Sequence, residues 1–350
     1  MARVGMNPAR NRVTTYRPAR VTVAVLVYIP YQEGYFQNRL DVLRLCLNSL
    51  LKHTDLPYDL LVMDNGSCAE AKALLRSLQE MGAIRYLLTA RENIGKVGAL
   101  KMMFRAAPGE VIAYSDDDIF FYPGWLPAHL KLLDSFPEVG MVSGCAVRTL
   151  FDHGTQSNLR LAQTDPEVRL TRGQRIPEQW EVDWAESYGR DVEAHRQALR
   201  TMEDLTIEYR GIEAFAVANH NQFVTPKSVI LRALPQEWSG RLMGEMNELD
   251  NAVDGLGHLR LSTIERTTRH IGNLISPTMA EEARGYSVSG DRMTARSLGL
   301  PRPSLSNRLA RWKPVRWFLQ GLYNRLFWVL NEQSGEWLKP TGQTGDEHSG

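Results

Sequence analysis

The run Val111-Ile112-Ala113-Tyr114-Ser115-Asp116-Asp117-Asp118 constrains the fold more than any other stretch, because a short β-rich apolar segment stops on three consecutive carboxylates. Three like charges that close repel one another unless something positive joins them. Asp116 and Asp118 have one residue between them, and hard divalent cations take oxygen ligands from such pairs while keeping positions for water and substrate phosphates. On its own the segment leaves two readings open: a metal-bound diphosphate site, or an acidic loop after a strand that caps the next helix.

The segments before it supply a context. Val21 to Ile29 is a β-branched run too apolar for an edge strand, stopped by Pro30, and it reads as a central parallel strand. Apolar residues at 40, 43, 47, 50 and 51 follow the helical period, and Asp55-Leu56-Pro57 breaks the pattern before a second strand, Leu60 to Met63. That strand runs into Asp64-Asn65-Gly66-Ser67, which by itself also reads as a tight turn. The alternation continues with a helix near 70–81, a short strand over 84–88, the loop Arg91 to Lys96 and a helix over 97–106. Strand, helix, strand at this spacing is a βαβ unit, and ligands in such sheets bind beyond the carboxyl ends of the strands. Asp64, the Asn93–Lys96 loop and Asp116–Asp118 are therefore expected along one edge of one sheet.

Composition narrows the function classes. A chain of 350 residues is long enough for one large α/β domain or two small ones. A net charge of +1 argues against a nucleic-acid binder, so no nucleic-acid partner is expected. The three cysteines, Cys46, Cys68 and Cys145, are widely spaced and form no Cys-x-x-Cys pair, which fits a reducing cytoplasm. No run of about 18 apolar residues is present, and no secretory leader is expected. Residues 1–20 carry five arginines and no acid, and read as a disordered basic tail.

Taken in order and spacing, Pro30, Leu47-x-Ser49-Leu50, Val62 to Ser67, Asn93-Ile94-Gly95 with Ala99, Ala107 and Gly109, and Asp116-Asp117-Asp118 resemble the family 2 glycosyltransferases over about residues 21–145. The resemblance implies an α/β chain with the GT-A nucleotide-diphospho-sugar transferase fold, a Rossmann-like mixed sheet flanked by helices. It implies that the loop holding Pro30, Tyr31 and Glu33, together with Asp64, takes the base and ribose of a nucleotide-diphospho-sugar donor. Asn93, Gly95, Lys96, Asp116 and Asp117 then belong to the donor site, and Asp116 and Asp118, completed by His270, hold Mg²⁺ or Mn²⁺. Tyr31 stands where a small hydroxyl residue is usual, and Glu33 and Lys101 where Asn is frequent. These departures bear on the identity of the base.

The chain beyond residue 118 is less regular. Phe120 to Leu126 is aromatic and ends in a turn, with Trp125 facing an acceptor or the core, before a helix over 127–135 and a strand over 139–144. Residues 146–210 read as an insertion and acceptor region between a donor half, 21–145, and a catalytic and acceptor half, 211–280. A helix is expected over 189–204, and Trp180, Trp184 and Tyr188 before it either stack on sugar rings or pin the insertion to the body. His220, in a polar interruption of a strand-like run, reads as a substrate contact or a hydrogen-bonded structural histidine.

A second group of acids lies in Gly244 to Gly257. On a helix, Met246, Leu249, Val253 and Leu256 form the buried stripe and the carboxylates lie off it, where the bland reading is a solvated helix face. Transfer of a sugar to a hydroxyl with inversion needs a group to take the acceptor proton. In the family that the chain resembles, a Glu-Asp pair stands here; Glu245 falls on its Glu and Met246 on its Asp. The expected catalytic residues are, in order, Glu245, Asp250 and Glu248.

Residues 281–338 read as a lid followed by a basic, aromatic, acid-free helix, and 339–350 as a disordered tail. That helix either docks on protein or lies in the headgroup region of a membrane, the latter suiting an enzyme on the cytoplasmic face with a lipid-linked acceptor. The sequence thus points to a metal-dependent inverting glycosyltransferase that moves a sugar from a nucleotide-diphosphate donor to a hydroxyl of a glycan or lipid-linked glycan. A catalytically inactive sugar-nucleotide-binding or scaffold protein and a nucleotidyltransferase of the same fold are the alternatives.

Overall fold

The computed structural model describes residues 9, 12–235, 242 and 246–288. Glu245, the basic aromatic stretch after residue 307 and the C-terminal tail lie outside these residues, as do residues 1–8, 10 and 11 of the N-terminal tail. The chain alternates through β1 (Val21–Val27), α1 (Arg39–His53), β2 (Tyr58–Asp64), α2 (Ala69–Glu80), β3 (Tyr86–Thr89), α3 (Lys96–Ala106) and β4 (Val111–Asp116). It continues through β5 (Ile119–Phe121), α4 (Trp125–Ser135), β6 (Val139–Ser143), α5 (Gln156–Thr164), β7 (Val168–Gly173), α6 (Glu178–Ser187) and α7 (Val192–Leu199). The remaining elements are β8 (Asp204–Tyr209), β9 (Ile212–Phe215), β10 (Gln222–Pro226), α8 (Lys227–Ala233), α9 (Met246–Gly255), β11 (Leu259–Thr263), β12 (Thr268–His270) and α10 (Pro277–Gly285). All of these elements fall within one of the two units into which the chain divides.

Ten strands form one mixed sheet in the order β3-β2-β1-β4-β10-β6-β11-β9-β8-β7, and β12 pairs with β5 in a separate two-stranded ribbon. The run β3-β2-β1-β4 is parallel, whereas β10 lies antiparallel between β4 and β6. This is the α/β architecture expected of a GT-A chain. β1 is buried along its whole length because both faces of the sheet are covered. Val21, Val23, Val25 and Val27 pack with α1 residues such as Leu43 and Leu47, while Ala24 and Leu26 pack on the other face with Leu100, Met103 and Phe104 of α3. The strand period of two sorts the side chains into these two cores.

Register places the polar strand ends together. Val27 pairs with Asp64 and Leu26 with Asp116, so the ends of β2 and β4 flank the end of β1. Asp64 pairs in turn with Thr89 at the end of β3, just before the Asn93–Lys96 loop. The three segments share one sheet edge, as the spacing predicts.

Two stretches differ from the sequence expectation. No single helix covers 189–204; α6 ends at Ser187, Gly189 takes φ +65°, and α7 starts afresh with Asp191 accepting from the Ala194 amide at 2.7 Å. Left-handed backbone at Gly189 and a side-chain cap two residues later end one helix and start another. Residues 168–209 also supply β7 and β8 to the edge of the main sheet, so this segment continues the sheet through β9.

Candidate functional site

The three carboxylates at the end of β4 diverge: Asp116 meets Lys96, whereas Asp117 and Asp118 share Arg39. Asp116 lies on the α3 face of the sheet with Tyr114, and Lys96, first residue of α3, reaches it at 2.8 Å. The Tyr114 hydroxyl donates to the same carboxylate. Asp117 turns back under β1, accepting from the Tyr28 amide at 3.3 Å and from Arg39. Asp118 accepts from Arg39 Nη1 at 2.7 Å and faces His270 Nε2 at 3.3 Å. Arg39 is buried, and its Nη1 also donates to the Gly272 carbonyl at 3.3 Å. Burial works against its charge, but the adjacent Asp117 and Asp118 carboxylates outweigh that and raise its pKa.

The two inner carboxylates part company electrostatically. Burial pushes Asp117 up to about 7, with Arg39 opposing and Asp118 and Asp116 adding to the rise. Burial acts upward on Asp118 as well, yet His270 and Arg39 outweigh it and hold that carboxyl well below the usual range. Asp118 is thus the more strongly held of the two in its ionised form, and its Oδ1 is buried without a hydrogen-bond partner.

His270 is held on its other side by Ser187 at the end of α6, 2.7 Å from Nδ1, and its ring stacks on Tyr188 at 4.6 Å and 12°. Tyr188 Oη accepts from Asn221 Nδ2 at 2.6 Å. The aromatic segment read as either a sugar platform or an anchor therefore touches a predicted metal ligand directly through Tyr188.

Along the rest of the edge, Asp64 is buried, with Oδ1 accepting from the Ser67 amide at 2.8 Å and Oδ2 left without a partner. Asn65 Nδ2 donates to Asn93 Oδ1 at 2.9 Å, and Asn65 Oδ1 accepts from the Ile94 amide at 3.0 Å, which ties the second strand end to the loop before α3. Gly66 is required there: its φ is +86°, and a Cβ would sit 2.6 Å from the Glu92 carbonyl carbon. Gly95, also at positive φ, precedes Lys96 and gives its amide to Asn93 Oδ1 at 2.8 Å.

Two adjoining cavities meet at Lys96, Asp116 and Asp118. The first, of 320 Å³, is walled by Tyr28, Tyr35, Phe36, Asn65 and Asn93. The second, of 790 Å³, is walled by Tyr188, His220, Met246, Asn247 and His270. Tyr31 and Glu33 are exposed, and Tyr31 meets the first cavity only by packing edge-on against Phe36, ring centroids 5.3 Å apart. Pro30 is half-buried at the end of β1 and is absent from the walls of both cavities.

The acids of α9 separate. Glu248 is exposed, whereas Asp250 is fully buried and outside both cavity walls. Asp250 Oδ1 lies 2.9 Å from Arg260 Nη2, and Oδ2 lies 2.8 Å from His220 Nδ1 and 3.2 Å from His153 Nε2. Burial alone would raise its pKa, but Arg260, His153 and His220 outweigh it and bring it down to about 2. Arg260 is itself fully buried and donates to the carbonyls of His153 and Gly154 at 3.1 Å and of Ala218 at 2.6 Å.

Among the described residues no three His, Cys, Asp or Glu side chains converge closely enough to close a metal site by themselves. The unpartnered, buried Oδ1 of an ionised Asp118, beside the imidazole of His270, nonetheless suits a divalent cation whose remaining ligands come from substrate and water. Arg39 and the Tyr188–His270 stack were not legible as site features in the sequence. Arg39 is the first residue of a helix otherwise read for its apolar stripe, and no local pattern marks an arginine that pairs with acids far along the chain.

Residues 35–181 match the family model described as "Glycosyl transferase family 2". An uncharacterized glycosyltransferase of Nostoc sp. is 28% identical over 96 residues, which is 27% of this chain and 30% of the relative. A mannosyltransferase from Pyrobaculum calidifontis, solved with GDP-Man and Mn²⁺, is 28% identical over 39% of this chain and 38% of its own, with a TM-score of 0.29. S. aureus TarS 1–349 is 13% identical, covers 71% of this chain and 59% of its own, and has a TM-score of 0.42.

Proposed function

We propose that this chain, whose residues 35–181 match the model of glycosyl transferase family 2, is a metal-dependent, inverting glycosyltransferase using a nucleotide-diphospho-sugar. The observation that carries the reading is the convergence of Asp64, the Asn93–Lys96 loop and Asp116–Asp118 on one sheet edge inside the matched segment.

In this reading the 320 Å³ cavity takes the nucleoside and the 790 Å³ cavity takes the sugar and acceptor, with the diphosphate where the two meet. Asp64, through its free Oδ2, offers an acceptor to a base N–H, and the backbone around Pro30, Tyr31 and Glu33 borders the nucleoside. Asn93 and Gly95 shape the loop that carries Lys96, whose ammonium lies beside the diphosphate as a point charge. Asp116, Asp118 and His270 would hold Mg²⁺ or Mn²⁺, with Asp117 behind them. Such an ion supplies charge neutralisation for the leaving diphosphate. The acceptor hydroxyl attacks the anomeric carbon from the face opposite the diphosphate. Its proton passes to a base on the α9 side of the larger cavity, near the segment containing Glu245, Glu248 and Asp250.

The acceptor is a hydroxyl of a glycan or lipid-linked glycan. No helix among the described residues is long and apolar enough to cross a membrane. Peripheral contact through the basic aromatic stretch after residue 307 belongs to the proposal, and loss of liposome flotation on removing residues 308–350 tests it.

One observation favours a second reading, a sugar-nucleotide-binding protein without turnover. Met246 lines the larger cavity where the resemblance leads one to expect an aspartate. A panel of UDP- and GDP-sugars assayed with Mn²⁺ separates the two: nucleotide release supports transfer, and binding without release supports the second reading.

A further inference from the structure

Met246 and Asn247 of α9 line the larger cavity, while Asp250, on the same helix, is fully buried and outside its walls. What stands between Asp250 and the cavity is His220. Its Nδ1 is 2.8 Å from Asp250 Oδ2, and the ring lines the cavity that also contains Lys96, Asp116, Asp118 and His270. Its Nε2 has no hydrogen-bond partner among the described residues.

Resting on the glycosyl-transfer reading above, we infer that His220 Nε2 takes the acceptor proton, with Asp250 as the positioning residue that fixes its tautomer and orientation. An ionised carboxylate at Nδ1 keeps the proton on that nitrogen and leaves Nε2, on the opposite side of a ring that lines the cavity, with a lone pair. Asp250 is suited to the task because it is held from behind: Arg260 meets one oxygen, and three backbone carbonyls accept from Arg260. Its lowered pKa keeps it charged throughout the neutral range. His153, 3.2 Å from the same Oδ2, completes the set of groups facing the carboxylate.

The step balances without a further reactant. The acceptor oxygen forms a bond to the anomeric carbon as the bond from that carbon to the diphosphate oxygen breaks, and the diphosphate leaves with the electron pair. The hydroxyl proton moves to His220 Nε2. The resulting imidazolium is paired with Asp250 until it releases the proton to water. The base then comes from the loop before β10, and the acid on α9 acts through it.

The test uses the full chain with a panel of UDP- and GDP-sugars and Mn²⁺, reading nucleotide release, for which water serves as acceptor when no glycan is supplied. His220→Asn should lower turnover by about 10²-fold or more while donor affinity stays within about 3-fold. Asp250→Asn should lower turnover in the same direction. Added imidazole should restore part of the activity of His220→Ala and none of that of Asp250→Asn, a split that a purely structural role would not produce. Turnover of His220→Asn within about 3-fold of the unaltered chain, or a loss matched by an equal loss of donor affinity, overturns the inference and leaves the transfer reading standing. If the unaltered chain neither binds nor cleaves any donor of the panel, the transfer reading falls and the inference with it.

Discussion

Arg39 Nη1 lies 2.7 Å from Asp118 Oδ2, joining the first turn of α1 to the end of β4 inside the molecule. The same guanidinium meets Asp117, so one buried cation neutralises two of the three carboxylates that would otherwise repel one another. Removing one partner of a buried pair is far more costly than the pair's net worth, because the remaining charges are left without compensation. Arg39→Leu should therefore destabilise the fold by about 3–5 kcal/mol, measured by urea or thermal unfolding. Double replacement with Asp117→Leu should recover part of that loss. A single variant as stable as the unaltered chain would show that the pair is not what holds the triplet.

Gly66 sets the contact between the second strand end and the loop before α3. Gly66→Ala puts a methyl 2.6 Å from backbone at Glu92 and demands φ +86° of an alanine, so the backbone must shift. The cost should be about 1–3 kcal/mol, and nucleotide affinity should fall with it because Asn65 and Asn93 are displaced together. Gly124→Ala is the control: it has a similar φ of +78° but open space around the added carbon. Its effect on stability should be smaller, with no effect on nucleotide affinity.

Most of the sheet edge was legible in the sequence. The apolar runs over 21–29, 60–63 and 111–118 became β1, β2 and β4, because strands buried on both faces need continuous apolar residues and few other structures do. The α3 helix and its N-terminal Gly95-Lys96 were legible for a similar local reason. The partners of the buried acids were not: Arg39, His220 and Arg260 draw their meaning from carboxylates distant in the chain, and only the packed sheet brings them together. Asp250 illustrates the limit. Its place among acids on a helix suggested a solvent-facing or catalytic carboxylate, but the α9 stripe that includes Leu249 and Val253 turns it inward toward Arg260.

Acid pH should expose the Asp250 cluster. The carboxyl stands at about 2 in the folded chain against an ordinary 3.8, so its contribution is complete above about pH 4 and is lost as pH falls toward 2. That difference corresponds to ~2 kcal/mol. Asp250→Asn should be less stable than the unaltered chain near neutral pH, with the gap narrowing as unfolding is measured at successively lower pH below 4. His129, buried and brought down to about 4 chiefly by that burial, adds a loss in the same direction as pH falls below its ordinary 6.5. It does so equally in both proteins. A gap that stayed constant from neutral pH to pH 2.5 would contradict the charge assigned to Asp250.

The most direct test of the whole account is calorimetric titration of UDP- and GDP-sugars into the unaltered chain and into Asp118→Asn, each with Mn²⁺ and with a chelator, followed by assay of nucleotide release. At least one donor should bind the unaltered chain and be cleaved in a Mn²⁺-dependent manner. Asp118→Asn should lose the Mn²⁺-dependent part of both, because it replaces the ionised carboxylate beside His270. Equal binding and release by the two proteins with Mn²⁺ would contradict the placement of metal and diphosphate at Asp116–Asp118.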